Sequence, residues 1–233
     1  EYVQKNPKLA LYAEHMNTLM IDNDTILGEF KNMISQKYEH HRPRLLILLG
    51  NPSLLLRDEY RELWGDIPIV LCSEEKFIGP KDTYIYKQPV TQAERVPISQ
   101  LADPYNLVLL YSNLYLRENI QLISHIIPDM KKFIFIGDER EINQTNNLEI
   151  QTKLKAINPY IEYQYITPQK MTTNQLLDSL YHVDPNTTGI LFASWFYKPT
   201  FAGNTSLVTN AHKLIVTTTA PIFTLNMADI TEE

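Results

Sequence analysis

Glycine is scarce in this chain of 233 residues: there are seven, and none falls in a G-x-G-x-x-G or G-x-x-x-x-G-K-[ST] spacing. Dinucleotide and phosphate-loop binding need glycine where the backbone closes on a phosphate, so neither is signalled. Cysteine is scarcer still. Cys72 stands alone, which excludes an internal disulfide framework and any zinc site built from several thiolates; within the apolar run Ile69 to Cys72 it reads as a small buried hydrophobe. No apolar run reaches the roughly 18 residues of a membrane-spanning helix, and the opening Glu1, Tyr2, Val3, Gln4, Lys5 lacks a signal-peptide pattern. A basic excess is missing too: 21 Lys and Arg against 27 Asp and Glu leave a formal charge of −6. Nucleic-acid binders carry a concentrated basic face, so nucleic acid is not an expected partner.

What is present is the composition of a folded domain, with 44% hydrophobic and 21% charged residues. Arg44 to Gly50 (RLLILLG) is a continuous aliphatic run closed by Gly50, Asn51 and Pro52, which suits a strand buried on both faces of a parallel sheet. Before it, Leu27, Phe30, Met33, Ile34 and Tyr38 fall at helical spacing over Asp24 to Tyr38, with Asp24 as the expected N-cap. After it come a helix over Leu54 to Trp64 and a second buried run over Ile67 to Cys72.

The same alternation returns downstream. Helices are expected over Leu116 to Ile127, Asn147 to Ile157, Asn174 to Tyr181 and Ser206 to Val216. Strands are expected over Phe133 to Gly137, Ile161 to Ile166, Gly189 to Phe196 and Pro221 to Asn226. Such alternation implies βαβ units and parallel sheets. Glu74 to Pro104, proline-bearing and without helical period, reads as an irregular connection between two series, hence two lobes with a cleft between them. The boundaries expected are 1–112 for an incomplete N-terminal lobe, 113–225 for a C-terminal lobe and 226–233 for the start of a return crossover.

In open parallel sheets ligands gather beyond the carboxyl ends of strands. The short polar and aromatic side chains expected there are Asn17, Asn51, Ser73, Glu74, Asp138, Trp195, Tyr197 and Asn226. They suit hydrogen bonding to a polar small molecule, with the aromatic pair as a stacking wall. Asn, Asp, Ser and Thr also end strands and cap helices for structural reasons alone. His40 and His41 fit a helix C-terminus better than a metal site, since no carboxylate-and-histidine spacing accompanies them. No nucleophile elbow, metal set or phosphate loop is marked, so neither a cofactor nor catalysis by this segment is expected. Sequons begin at Asn23, Asn143, Asn186 and Asn204; in a chain rich in Asn and Thr they carry no weight.

Read in order, several segments resemble the type I periplasmic-binding-protein fold, in the form found in extracytoplasmic sensor domains of sensor histidine kinases. LALYAEHMNT (Leu9 to Thr18) is similar to that family's first strand, with Asn17 in place of an acid. RLLILLGNPS and LWGDIPIVLCSE resemble its second strand, helix and third strand. QPVTQA (Gln88 to Ala93) resembles its crossover, with Gln92 in place of glycine. IIPDMKKFIFIGD resembles the entry into the second lobe, and NTTGILFASWFYKPT and APIFTLNMADI resemble the late strands. Lys198, Pro199, Thr200 and Phe201 stand where the family has an Asp-x-x-Gly turn.

The resemblance implies an α/β, two-lobed type I periplasmic-binding-protein-like fold with parallel sheets flanked by helices. It implies a ligand-sensing domain of a two-component histidine kinase, periplasmic or otherwise extracytoplasmic, closing on a polar small molecule. The kinase and the membrane anchor would lie in other parts of a dimeric parent, of which this chain would be a fragment. Two alternatives stand beside it: the solute receptor of an importer, and a two-lobed glycosyltransferase-like enzyme using a nucleotide sugar.

Overall fold

The computed structural model describes residues 9–18, 20–195 and 218–225. They form an α/β structure of two parallel sheets flanked by helices, one sheet in each of two lobes.

The first lobe opens with helix α1 (Asp24–Tyr38), which buries Leu27 and Ile34 at helical spacing. Its N-cap is Asn23, not Asp24: the Asn23 side chain accepts from the Ile26 amide at 3.0 Å, and Asp24 sits in the first turn, where an acid favours the helix dipole. Strand β1 (Leu46–Leu49) follows. Gly50, at φ 79°, turns the chain into a 3₁₀ segment over Asn51–Leu56 and helix α2 (Arg57–Trp64). Strand β2 (Ile69–Ser73) pairs parallel to β1, and β5 (Leu107–Tyr111) pairs parallel to β2, giving the order β1-β2-β5.

The stretch read as irregular holds a two-stranded antiparallel pair, β3 (Phe77–Ile78) with β4 (Val96–Pro97), and the short helix α3 (Lys81–Ile85). Residues 9–18, read as a first strand, contain none.

The second lobe begins with α4 (Leu116–Ile126) and β6 (Lys132–Ile136). It continues with α5 (Glu141–Ile157), β7 (Glu162–Ile166), α6 (Thr173–Tyr181), β8 (Thr188–Phe192) and β9 (Ile222–Thr224). Its sheet runs β7-β6-β8-β9, every pairing parallel. Helix α5 starts six residues before the expected Asn147. The extra turns carry buried polar groups, Glu141, Asn143 and Asn146, so hydrophobic periodicity could not find them. The helix expected over Ser206 to Val216 and the crossover over 226–233 lie outside the described residues.

The cores differ. In the second lobe Phe133, Phe135 and Leu191 pack with α4 and α5 on one face of the sheet. Ile134, Ile136, Ile190 and Phe192 pack with α6 on the other. In the first lobe Leu48, Ile69, Leu71 and Leu107 pack with α1 and α2. The opposite face, set by the register Ile47, Val70, Val108 and Leu49, Cys72, Leu110, is open: Ile47 is 55% exposed, Leu49 76%, Val108 58% and Leu110 56%. The apolar run at Arg44 to Gly50 predicts burial on both faces, and the structure buries one.

Candidate functional site

A cavity of about 460 Å³ lies at the carboxyl end of the first sheet, and the second lobe's Arg140, Glu141 and Ile142 close one side of it. That places it where parallel sheets gather ligands. Its walls are built from four turns.

The turn after β1 supplies Gly50 and Asn51. Gly50 holds φ 79°, a conformation in which a side chain is strained; its amide donates to Cys72 O at 2.9 Å, so the turn is pinned to β2. Asn51 is buried, and its amide nitrogen donates to Glu75 Oε2 at 3.1 Å and to Phe77 O at 2.8 Å. Its Oδ1 accepts from Ser73 Oγ at 2.6 Å. Both Nδ2 donors are therefore committed to protein acceptors, and Asn51 serves the cavity chiefly by positioning Glu75.

The turn after β2 supplies Ser73, Glu74 and Glu75, with Cys72 on the strand before it. Ser73 Oγ accepts from the Glu75 amide at 3.0 Å, closing the turn locally. Glu74 is half-buried, and that burial pushes its carboxyl upward against the pull of Arg140. Cys72 is not the fully buried hydrophobe expected from its run. It is half-buried because it points to the open face of the sheet, and with Leu49 and Leu110 it forms the cavity's apolar wall.

The turn after α3 supplies Lys87, which the sequence reading missed. Its backbone is left-handed, φ 55°, an outlier for a long side chain that marks a position fixed by its surroundings. Its Nζ donates to the Tyr84 and Thr18 carbonyls, the latter at 3.4 Å. Among the described residues no carboxylate pairs with it, and burial together with the Arg140 charge lowers its affinity for a proton. Its own carbonyl accepts from Gln144 Nε2 of α5 at 3.4 Å, a contact between the lobes.

The turn after β6 supplies Arg140. Beneath it lies Asp138, buried and saturated. Oδ1 accepts from the Arg140 amide, Arg140 Nε and Asn143 Nδ2 at 3.0, 2.9 and 2.9 Å, and Oδ2 from Ser194 Oγ at 2.7 Å. Asp138 is thus the support that aims Arg140; expected as a ligand-binding residue, it lies buried and is not among the residues lining the cavity that Arg140 lines.

Of the other expected residues, Ser73 and Glu74 line this cavity with Asn51. Asn17 is exposed between two lining residues, Met16 and Thr18, with φ 45°. Trp195 does not form an aromatic wall there. It is buried among Leu176, Leu180 and Phe192, and its indole donates to Thr173 Oγ1 at 3.1 Å. Tyr197 and Asn226 lie outside the described residues. The residues missed, Lys87, Arg140, Glu75 and Glu141, are charges directly after strands or in the connection between lobes; a search for charged residues following buried runs finds three of the four. Among the described residues no group of three or more His, Cys, Asp or Glu could hold a metal ion.

No protein-family model matches the chain. No curated protein matches it either. Among solved structures it is similar to a conserved domain protein from Vibrio cholerae O1 biovar El Tor, with 14% identity, a TM-score of 0.46 and 87% of this chain covered. The chain spans 60% of that protein's length.

Proposed function

We propose that this chain is a ligand-sensing module without catalysis of its own, the extracytoplasmic sensor domain of a membrane-anchored two-component histidine kinase. In this reading a polar small molecule binds in the cavity between the lobes and favours their closure. The observation that carries it is the composition of that one cavity. Hydrogen-bonding groups from Ser73 and Glu74, an ammonium from Lys87 and a guanidinium from Arg140 converge there with an apolar wall of Leu49, Cys72 and Leu110. A site that orients a small molecule by a few polar groups against an apolar surface is built this way. A ligand touching both lobes binds the closed arrangement better than the open one, and only that difference in affinity can shift a receptor between signalling states. The resemblance to type I periplasmic-binding-protein sensor domains supports the same reading and supplies the membrane receptor, expected as a dimer.

The test is calorimetric titration with sugars, amino acids and small organic acids, with Lys87→Met and Glu74→Gln as controls. A binder is expected to weaken at least about tenfold in one of the two variants, the loss of one charged hydrogen bond. The same binder is expected to slow alkylation of Cys72. A binder that ignores both variants and leaves Cys72 equally reactive would place the site elsewhere, and turnover of any of these compounds would argue for an enzyme.

A further inference from the structure

Three charged side chains meet where the lobes touch. Arg95, just before β4, has a side chain 4% exposed; Glu75, after β2, 9%; and Glu141, the first residue of α5, 2%. Arg95 Nη2 lies 2.6 Å from Glu141 Oε1, and Nη1 lies 3.5 Å from Glu75 Oε1. Arg95 also donates to Thr145 Oγ1, one turn into α5. First-lobe residues therefore grip the start of a second-lobe helix.

The charges do not balance. One guanidinium faces two carboxyl groups, all three side chains nine-tenths buried or more, and one oxygen of each, Glu75 Oε1 and Glu141 Oε2, has no hydrogen-bond partner among the described residues. Buried polar groups are ordinarily satisfied, and two buried carboxylates beside each other cannot both ionise cheaply. A single proton on the pair addresses both deficits: it supplies a donor at an unpartnered oxygen, and it leaves one negative charge against Arg95.

We propose that Glu75 and Glu141 form a proton-binding site that latches the lobes together, so that release of its proton to solvent loosens the cleft. The latch stands on the junction's geometry and needs no ligand; only its use in sensing rests on the function proposed above. The neighbours of the pair agree with one held proton. Burial, then the Glu141 carboxyl, push Glu75 up to about 9, with Arg95 opposing. Asn51 donates to Glu75 Oε2 from the β1 side. Tyr84 of α3 feels the negative charge of both acids, which with burial disfavours its ionisation. The adjacent Glu74 and Arg140 line the same cavity, and the Arg140 charge opposes the effect of burial on Glu74.

The sign follows from linkage. A carboxyl raised in the folded state binds a proton that the unfolded chain has released, so its contribution is whole below the ordinary glutamate value of 4.5 and is lost as pH rises toward about 9. Above that step two carboxylates face one arginine, and the uncompensated buried charge opposes docking of the lobes.

The experiment has three readouts on the intact chain. Carbon-13 titration of the glutamate side chains is expected to show one carboxyl releasing its proton far above the others. The melting temperature of the wild type is expected to fall by roughly 5 °C or more between about pH 7 and about pH 9.5, relative to Glu141→Gln and Glu75→Gln, each of which leaves a single carboxyl facing Arg95. Small-angle scattering is expected to show the wild type, and neither variant, expanding over the same range. If every glutamate titrates in the ordinary range, or both variants follow the wild-type profile, the proposal is overturned. It is overturned equally if one glutamate titrates high while the scattering stays constant. The titration uses the wild type, so a variant that fails to fold does not remove the test. A failed ligand screen leaves all three readouts unchanged, so the latch and the sensing function fail separately.

Discussion

The two sheets answer the same problem differently. Both are parallel, and both place an apolar strand in the interior: Ile69 to Ser73 in the first, Lys132 to Ile136 in the second. The second is covered on both faces, and Phe133 to Ile136 are all buried. The first is covered on one face by α1 and α2, while Ile47, Leu49, Val108 and Leu110 stand open on the other. Parallel sheets ordinarily bury both faces, because their crossovers carry helices. In the first lobe the open face runs up to the cavity, where its last row of side chains becomes the apolar wall. The second sheet is thus closed on both faces, and the first lends part of its surface to the cavity.

If that contrast is right, the largest loss comes from the middle of the second sheet. Phe135 has no exposure and stacks on Tyr165 with ring centroids 5.2 Å apart. Phe135→Ala is expected to cost about 3–5 kcal/mol in denaturant unfolding, the usual range for emptying such a site. A cost under about 1 kcal/mol would mean that the second core is loosely packed and the contrast false.

Next comes a substitution that overfills the same sheet. A Cβ on Gly189 in β8 would stand 2.6 Å from Ile123 Cγ2 and 2.8 Å from Met130 Sδ. Met130 can swing aside, but Ile123, at 0% exposure on α4 and branched at Cβ, cannot. Gly189→Ala is expected to destabilise by about 1–3 kcal/mol, and Gly189→Ala with Ile123→Val to recover part of it. A fully tolerated alanine would show that α4 does not press on this face.

Asn51→Ala tests the edge where the first sheet meets the cavity. It strands buried Ser73 Oγ, Phe77 O and a Glu75 oxygen, each deprived of its Asn51 partner. The expected cost is about 1–3 kcal/mol, since water reaches the cavity side and replaces some of the bonds. Asn51→Asp restores the acceptor to Ser73 and adds a charge beside Glu75, so it is expected to be the worse of the two. If Asn51→Ala is neutral in stability yet weakens a ligand, Asn51 meets the ligand directly.

Sequence reading succeeded where one physical pattern governed a segment. Helix α1 was readable to within a residue because Leu27, Phe30 and Ile34 repeat on one face, and β6 to within a residue because an unbroken apolar run follows two lysines. Reading failed where pattern and environment part. Arg44 to Gly50 is apolar throughout, and nothing in a run of leucines tells which face a helix will cover. Trp195 follows an apolar strand, three residues past the end of β8, and an aromatic there fits a cleft wall as well as a core; the Thr173 hydroxyl that binds its indole is 22 residues away. In the site, Asn51, Ser73 and Glu74 were legible as polar residues at strand ends. Lys87 was not, because its value comes from a left-handed backbone in a stretch with no period. Glu75, Arg95 and Glu141 were silent for a related reason: their meaning lies in a contact between lobes.

The smallest expected effect is the sharpest test of the comparison. Ile47→Gln and Val108→Gln place an amide on opposite edges of the open face, at registers joined through Val70. A central strand position covered by a helix would not accept glutamine; a buried amide without partners costs roughly 1–3 kcal/mol, beyond the lost apolar contact. On a face in contact with water the amide is hydrated in both states. The change is then worth no more than about 0.5 kcal/mol, most of it the weaker strand preference of glutamine against a β-branched residue. Denaturant unfolding of the pair alongside Ile134→Gln, the covered counterpart in β6, reads the difference directly. Both open-face variants near zero with Ile134→Gln severely destabilised would establish the asymmetry. A cost above roughly 1.5 kcal/mol at Ile47 and Val108 together would mean that this face is covered when the chain is folded in solution, and the first lobe would then be built like the second.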